Sequence, residues 1–469
     1  MSEQNIAEEE TKPAEPKTIQ TQLSELYKLS VPIVLTNLTY SMLNITDTIM
    51  AGMAGKSDLG GVAVGGSLFV PCMVFLQGMV AAVHPLIGRH RGGVQYHKIP
   101  HTHMVAFVAC TIISVILMAL LAFINWFVLD IDTDERMDFV AKHYIMYIIF
   151  TLPILTLFTV LKAYCEAMTY TKITFYFGLM ALCYNIPLNY ILIFGKFGLP
   201  EFGGVGCGIG TLLSIIISTA IFAFFISHNN KLGPYSLMSN DSTPAGSEIW
   251  RFLKLSLPLG FSASIESSCF SLVAVLLTPF GPAVVSGHSI TMSIYNFLYT
   301  APLSLGIALS IMVGYSIGAK DVDLLRTNIQ TAYRSAFMSM GLTMLIIAIF
   351  NVKLVGIYTN DEEVMTIASL LMIILFLNMP FENLQTIQAF VLRGFKDTRF
   401  IFWTTLFAFW AVGLLIGMLL CYGVIHSPFE GAYGFWIGML LSLIAATTCY
   451  RIRILIHWRE IKTDFTKYF

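Results

Sequence analysis

Apolar runs of roughly 20 or more residues, the length a helix needs to cross a bilayer, follow one another along almost the whole chain. Twelve of them centre on 26–50, 62–86, 104–129, 143–163, 173–194, 206–228, 253–279, 285–315, 331–352, 364–391, 400–424 and 433–456. None alternates with a period of two, and only helices or closed barrels satisfy their backbone in lipid. The pattern therefore predicts an all-α integral membrane protein with 12 transmembrane helices. Three polar stretches interrupt it. Residues 1–23 are polar and acidic, lack the basic start and apolar core of a signal peptide, and read as a disordered cytosolic tail. Residues 229–249 form a linker rich in Ser, Asn, Gly and Pro, and residues 458–469 form a second cytosolic tail.

The linker separates two related halves, 24–228 and 250–457. "KLSVPI" (28–33) returns as "KLSLPL" (254–259) at an offset of 226, and at that offset Gly55 meets Gly281, Ser67 meets Ser293, Gly88 meets Gly314 and Gly92 meets Gly318. Near the end of each half "GGVGCGIG" (203–210) resembles "GAYGFWIG" (431–438). Each half holds six spans, an even number, so both enter the membrane in the same sense. The expectation is two pseudo-symmetric six-helix lobes related by an axis along the membrane normal, as in one class of transporters.

Composition agrees. Hydrophobic residues make up 56% and charged residues 12% of the 469, against about 25% charged in soluble chains. The net charge of −1 implies no nucleic-acid partner. The eight cysteines are scattered without a CxxC pair and read as small packing residues. With the N-terminus placed in the cytosol, every Lys and Arg except Lys56, Arg136, Lys142, Lys196 and Lys353 falls on the cytosolic side, and both termini are cytosolic.

Only three acids lie well inside spans, Asp47, Glu266 and Glu382, with Glu166 at a cytosolic edge. No Lys or Arg is expected at their depth. An ionised carboxylate at the bilayer centre costs at least about 2.5–3.5 kcal/mol. Each must face a wet cavity, carry a proton or hold a cation; the alternative is a protonated acid in ordinary helix packing. At the offset of 226, Glu266 corresponds to Tyr40 and Asp47 to Val273, so the acids of spans 1 and 7 share a face but differ by about 10 Å in depth. The C-terminal half has two acids, which repel unless one is protonated or a monovalent cation sits between them. Sodium takes hard oxygen ligands, like other hard cations, and "SASIESSCFS" supplies hydroxyls beside Glu266. Asn185 and Asn189, one turn apart on span 5, serve either helix–helix hydrogen bonding or a polar lining beside Asp47. Tyr299 is either an interfacial tyrosine or part of the site, and Pro32 either a hinge or a tolerated kink. "GGVGCGIG" opens a span and follows no soluble strand, so it reads as close helix packing and not as a dinucleotide loop.

"ITDTIMAGMAGKSDLGGVAVG" (45–65), "NIPLNYILIFGKFGLPEFGGVGCGIGT" (185–211) and "LRGFKDT" (392–398) resemble the NorM branch of the multidrug and toxic compound extrusion (MATE) transporters, over about residues 24–457. The resemblance implies the V-shaped MATE/MOP fold and a bacterial inner-membrane antiporter. Such a protein exchanges sodium or protons for organic, mostly cationic drugs and dyes by alternating access, as a monomer needing no cofactor. It assigns cation coupling to Asp47 of the "DTxMAG" motif, Glu266, Tyr299 and Glu382. Asn185, Asn189, Asp361 and, more weakly, Phe270 fall to the substrate cavity. Glu382 departs from the aspartate usual there, which leaves the choice of ion open. The rival readings are a lipid-linked saccharide flippase of the same superfamily, which should line its cavity with basic residues, and an intramembrane enzyme. An enzyme would need a paired catalytic constellation; HExxH is absent and Asp47 is the only deep aspartate.

Overall fold

The computed structural model describes residues 18–127, 134–239, 242–424 and 430–468. Among the described residues there are fifteen α-helices: α1 (Ile19–Ala54), α2 (Lys56–Val80), α3 (Val83–Gly92), α4 (Ile99–Phe127), α5 (Glu135–Ile148), α6 (Thr151–Ala167), α7 (Thr171–Ile193), α8 (Gly204–His228), α9 (Gly246–Leu276), α10 (Pro282–Gly318), α11 (Val322–Gly356), α12 (Glu362–Gly394), α13 (Thr398–Thr405), α14 (Leu415–Cys421) and α15 (Ala432–Thr463). A π-helical segment, Leu406–Leu414, joins α13 to α14.

Ten of these helices or continuous helix pairs are long and apolar enough to cross a membrane, and α5 with α6 makes an eleventh that is bent by 45°. The bend has a local cause. Pro153 has no N–H to give to the Ile149 carbonyl, so the α-helical ladder breaks there. The twelfth expected span is α1. Its 36 residues span more than the roughly 30 Å of a hydrocarbon core, but Thr, Asn and Ser side chains and Asp47 dilute its hydropathy. The fold is all-α and multi-pass, with no strand among the described residues.

The ends differ from expectation. α1 begins at Ile19, so the last residues of the expected tail are helical, while residues 1–17 lie outside the described residues. The acidic stretch "DIDTDERMD" (130–138), which the basic-residue pattern assigns to the outside, is described only from Asp134 onward. At the other end α15 continues to Thr463. The polar linker is also anchored. Tyr164 donates its hydroxyl to the Leu232 carbonyl at 2.6 Å, and the Leu237 N–H donates to His103 Nδ1 at 3.0 Å.

Matching left-handed backbone positions show how far the two halves share one scaffold. Val94 and Lys320 adopt φ of 56° and 57°, and Thr169 and Lys396 adopt 67° and 64°. Gly203 and Gly431, which open α8 and α15, have φ/ψ of 58°/−138° and 64°/−138°. That region is open only to glycine. These pairs are 226 to 228 residues apart, the spacing of the sequence repeat.

The chain falls into two compact units, Val31–Gly260 and Phe261–Phe469, the second also taking the start of α1 up to Ser30. In the first unit α7 packs on α8 and α2 on α5, around buried Phe158, Tyr164 and Phe222. In the second, α10 packs along α12, and α12 against α11 and α15, around Phe409, Phe435 and Tyr450.

Candidate functional site

In the first unit Asp47 sits on α1, partly exposed, and is held from two other helices. Asn189 Nδ2 on α7 donates to Asp47 Oδ1 at 2.5 Å, and Thr211 Oγ1 on α8 donates to Oδ2 at 3.0 Å. Asn189 also donates to Asn185 Oδ1 at 3.1 Å, and Asn185 Nδ2 donates to Thr211 Oγ1 at 3.2 Å. The thiol of Cys207 points at the Asp47 carbonyl at 3.7 Å. Asn185 and Asn189 are fully buried and one turn apart, so both reach one side of α7. The arrangement is a closed ring of donors around one carboxylate.

The glycine-rich start of α8 permits the ring. A Cβ at Gly210 would lie 2.0 Å from Asn189 Oδ1, so any side chain there would push the asparagine off Asp47. The same helix start is pinned by Asp58, whose Oδ1 accepts from the Gly204 N–H at 2.6 Å and from Arg136 Nη2 at 2.8 Å.

Pro32 lies inside α1, two turns before Tyr40. Its own carbonyl accepts from Thr36 Oγ1 at 2.8 Å, so α1 carries the proline with one side-chain hydroxyl bracing the following turn.

In the second unit Glu382 on α12 is completely buried. Oε1 accepts from Thr386 at 3.2 Å, and Oε2 is a buried oxygen with no hydrogen-bond partner among the described residues. Glu266 on α9 is half-buried, and the charges of the two carboxylates act on one another. Tyr295 and Tyr299 of α10 stand beside the pair and stack with ring centroids 5.7 Å apart. Phe270, one turn after Glu266, packs on Tyr295 at 5.4 Å and on Phe409 at 6.2 Å. The π-helical segment lies against this part of α9: the Phe409 carbonyl receives the Cys269 thiol at 3.5 Å, and Trp410 Nε1 donates to the Ile265 carbonyl at 3.3 Å.

The expectation that no basic side chain lies near these acids needs correction for Glu266 alone. Arg393, placed by its Cα at the end of α12, has a buried Nε without a hydrogen-bond partner. Its guanidinium lies 3.9 Å over the Phe390 ring, and its charge is felt by Glu266, Tyr299 and Tyr450. Helical side chains lean toward the helix N-terminus, so a long side chain near the end of α12 reaches back into the membrane.

Asp361 does not join either cluster. It is exposed and caps α12, accepting from the Val364 N–H at 3.0 Å. Twenty-one residues of helix, about 30 Å, separate it from Glu382. Thr211, Cys207, Tyr295, Thr386 and Arg393 are the side chains that sequence reasoning missed. For Thr386 and Tyr295 a signal existed: each is four residues from a nominated residue and so on the same helix face.

The sequence profile of the MatE family matches residues 32–191 and again residues 258–419, once in each half. The chain is 33% identical over 437 residues to a probable multidrug resistance protein NorM of Shewanella oneidensis, covering 92% of this chain and 94% of that protein. It is 29% identical over 450 residues to the multidrug resistance protein NorM of Vibrio cholerae, covering 94% and 97%. Among solved structures it is similar to a point mutant of the Vibrio cholerae MATE transporter VcmN, with a TM-score of 0.84, 16% identity and coverage of 95% and 98%. A eukaryotic MATE transporter matches with a TM-score of 0.82, 20% identity and coverage of 96% and 98%. One profile matched twice in register with a doubled scaffold, and one-third identity along nearly the whole chain, place this protein in the MatE family of membrane transporters and not among enzymes.

Proposed function

We propose that this protein is a cation-coupled antiporter that exports organic, mostly cationic drugs and dyes across a bacterial inner membrane by alternating access, with sodium or protons as the coupling ion. Relatives at about one-third identity bear the name multidrug resistance protein, which supports drugs as cargo. The observation that carries ion coupling is Glu382: wholly buried, one oxygen without a partner, and beside a second carboxylate. Two such groups cannot both stay ionised without a positive charge between them.

A proton would neutralise one acid outright. A sodium ion would find hard oxygens in Glu266, Glu382, Thr386 and Tyr299, the donor type such a cation takes. Arg393 works against loading, because its fixed charge already offsets part of the demand. Asp47, within its ring of Asn185, Asn189 and Thr211, would take part by protonation or by contact with a cationic drug, and Phe270, packed on Tyr295 and Phe409 in the second unit, would supply apolar lining there. Asp361, at the far end of α12, would meet cationic substrates only near the outer mouth.

Everted vesicles test this with sodium replaced by choline at fixed pH, then with the proton gradient collapsed at fixed sodium. Dye extrusion should follow one of the two gradients. A Glu266→Gln, Glu382→Gln double variant should fall to the background of vesicles without the protein. Unchanged extrusion by that variant would sink the coupling mechanism.

A further inference from the structure

A second cluster of buried charge lies in the first unit, away from Asp47, at the helix ends that the basic-residue pattern assigns to the cytosol. Glu166, at the end of α6, is 1% exposed. His84 Nε2 lies 2.8 Å from Glu166 Oε2, and His84 Nδ1 lies 3.3 Å from the Ala81 carbonyl. Lys162, one turn before Glu166, has Nζ 3.8 Å from Oε1, 3.2 Å from Asn37 Oδ1 and 5.0 Å from the centre of the Tyr40 ring. Glu166 Oε1 and the Tyr40 hydroxyl are buried without a hydrogen-bond partner among the described residues.

The His84 contacts fix a proton count. The Ala81 carbonyl can only accept, and Pro85 has no N–H to offer it. A neutral imidazole donates from one nitrogen only. Both contacts are therefore satisfied only when the His84–Glu166 pair holds one proton more than neutral histidine with carboxylate. The 2.8 Å between Nε2 and Oε2 is the one place in the pair for such a proton.

We infer that His84 and Glu166 form a second proton-binding site, and that Lys162 transmits its occupancy to the first helix. With the proton present the pair is neutral overall, and Lys162 stays on Asn37 and Tyr40 of α1. With the proton gone the pair carries one uncompensated negative charge. Lys162 then closes the gap to Glu166 Oε1, which has no other donor, and releases α1. Asp47 lies seven residues beyond Tyr40 on that helix, about 10 Å along its axis. Other titratable groups on and around α6 have contacts of their own. Arg91 Nη1 donates to the Ala167 carbonyl at 3.0 Å. His103 accepts from Leu237 and stacks on Tyr164 at 4.6 Å, and Tyr164 is bonded to Leu232. Cys165 feels the Glu166 charge, and Tyr170 acts on Tyr164.

The inference rests on the export reading for its purpose but not for its test. Full-length protein in liposomes is taken through a pH jump and followed by infrared difference spectroscopy. His84→Gln and Glu166→Gln should each remove the same carboxyl and imidazole signals, while Asp47→Asn leaves them. The thiol-labelling rate of Met42→Cys on α1, measured against protein lacking that cysteine, should change with pH, and Lys162→Met should abolish the change while keeping the infrared signals. Signals that persist in both His84→Gln and Glu166→Gln, or a labelling response that survives Lys162→Met, would overturn the inference. If Glu166→Gln does not fold, His84→Gln decides alone. Neither readout involves a drug or an ion gradient. A wild type that moves no dye would sink the export reading and leave the proton site standing.

Discussion

Two pairs of positions, one in each half of the molecule, are equivalent, and their helix-end members carry opposite charge. Tyr40 on α1 corresponds to Glu266 on α9, and Glu166 at the end of α6 corresponds to Arg393 at the end of α12. In both halves the first residue of the pair feels the charge of the second. The N-terminal half puts its acid at the helix end and surrounds it with Lys162 and His84. The C-terminal half puts its acid on the first helix of the repeat and its base at the helix end. The two halves share a backbone frame, while the charge at the helix end differs in sign and the first helix carries an acid in only one of them. Six-helix lobes tolerate such a difference because the contact lies between helix surfaces, where side chains change without disturbing the ladder of backbone hydrogen bonds.

The difference predicts unequal consequences for removing each partner. Glu166→Ala leaves His84 and Lys162 without their buried carboxylate, and loss of one member of such a pair costs about 3–5 kcal/mol. Arg393→Ala should cost less, because its guanidinium lies on the Phe390 ring and its buried Nε gives up no hydrogen bond among the described residues. The same change should make the coupling cation bind more tightly, since a competing fixed charge is gone. Thermal unfolding in detergent and the ion concentration for half-maximal dye exchange measure the two effects. A larger stability loss for Arg393→Ala would break the comparison.

The deep acids make a second contrast. Asp47 has donors at 2.5 and 3.0 Å on its two oxygens, whereas Glu382 has a longer contact of 3.2 Å from Thr386 and the Tyr295 hydroxyl beside an otherwise unpartnered oxygen. Hydrogen bonds to a charged group contribute about 1.5–3 kcal/mol, and a buried group left unpaired costs about 1–3 kcal/mol or more. Asp47→Asn should therefore lower thermal stability and Glu382→Gln should raise it, in each case by about 1–3 kcal/mol. The two variants would shift the unfolding temperature in opposite directions. Shifts of the same sign would mean that Glu382 is satisfied in the membrane as fully as Asp47.

Much of this was legible in the sequence, for a physical reason in each case. The hydrocarbon core selects against charge so strongly that Asp47, Glu266 and Glu382 announce themselves by depth alone. The repeat shows because turns such as Gly203 and Gly431 require one residue type. What stayed hidden depends on side-chain reach. Arg393 lies by its Cα at the membrane edge, and its guanidinium goes where helix geometry sends it, toward Glu266. His84 and Glu166 are 82 residues apart, and nothing local to either marks the other. The split of the fourth span was available in Pro153, but apolar length outweighed it.

The smallest test addresses the shared frame itself. Val94 and Lys320 close equivalent turns with left-handed backbone, φ of 56° and 57°. A non-glycine residue there carries a strain of about 1–2 kcal/mol, and glycine relieves it at an entropic cost of roughly 0.5–1 kcal/mol. Val94→Gly should raise stability by about 0.5–1 kcal/mol, since its side chain is 65% exposed and little packing is lost. Lys320→Gly should act in the same direction with a smaller gain, because an unbranched side chain is less strained in this region and contacts of the lysine are given up. Opposite signs, measured by thermal unfolding of the two variants side by side, would show that the matching angles are held by different forces in the two halves. Equal signs would locate the repeat in the backbone, with the charges free to diverge upon it.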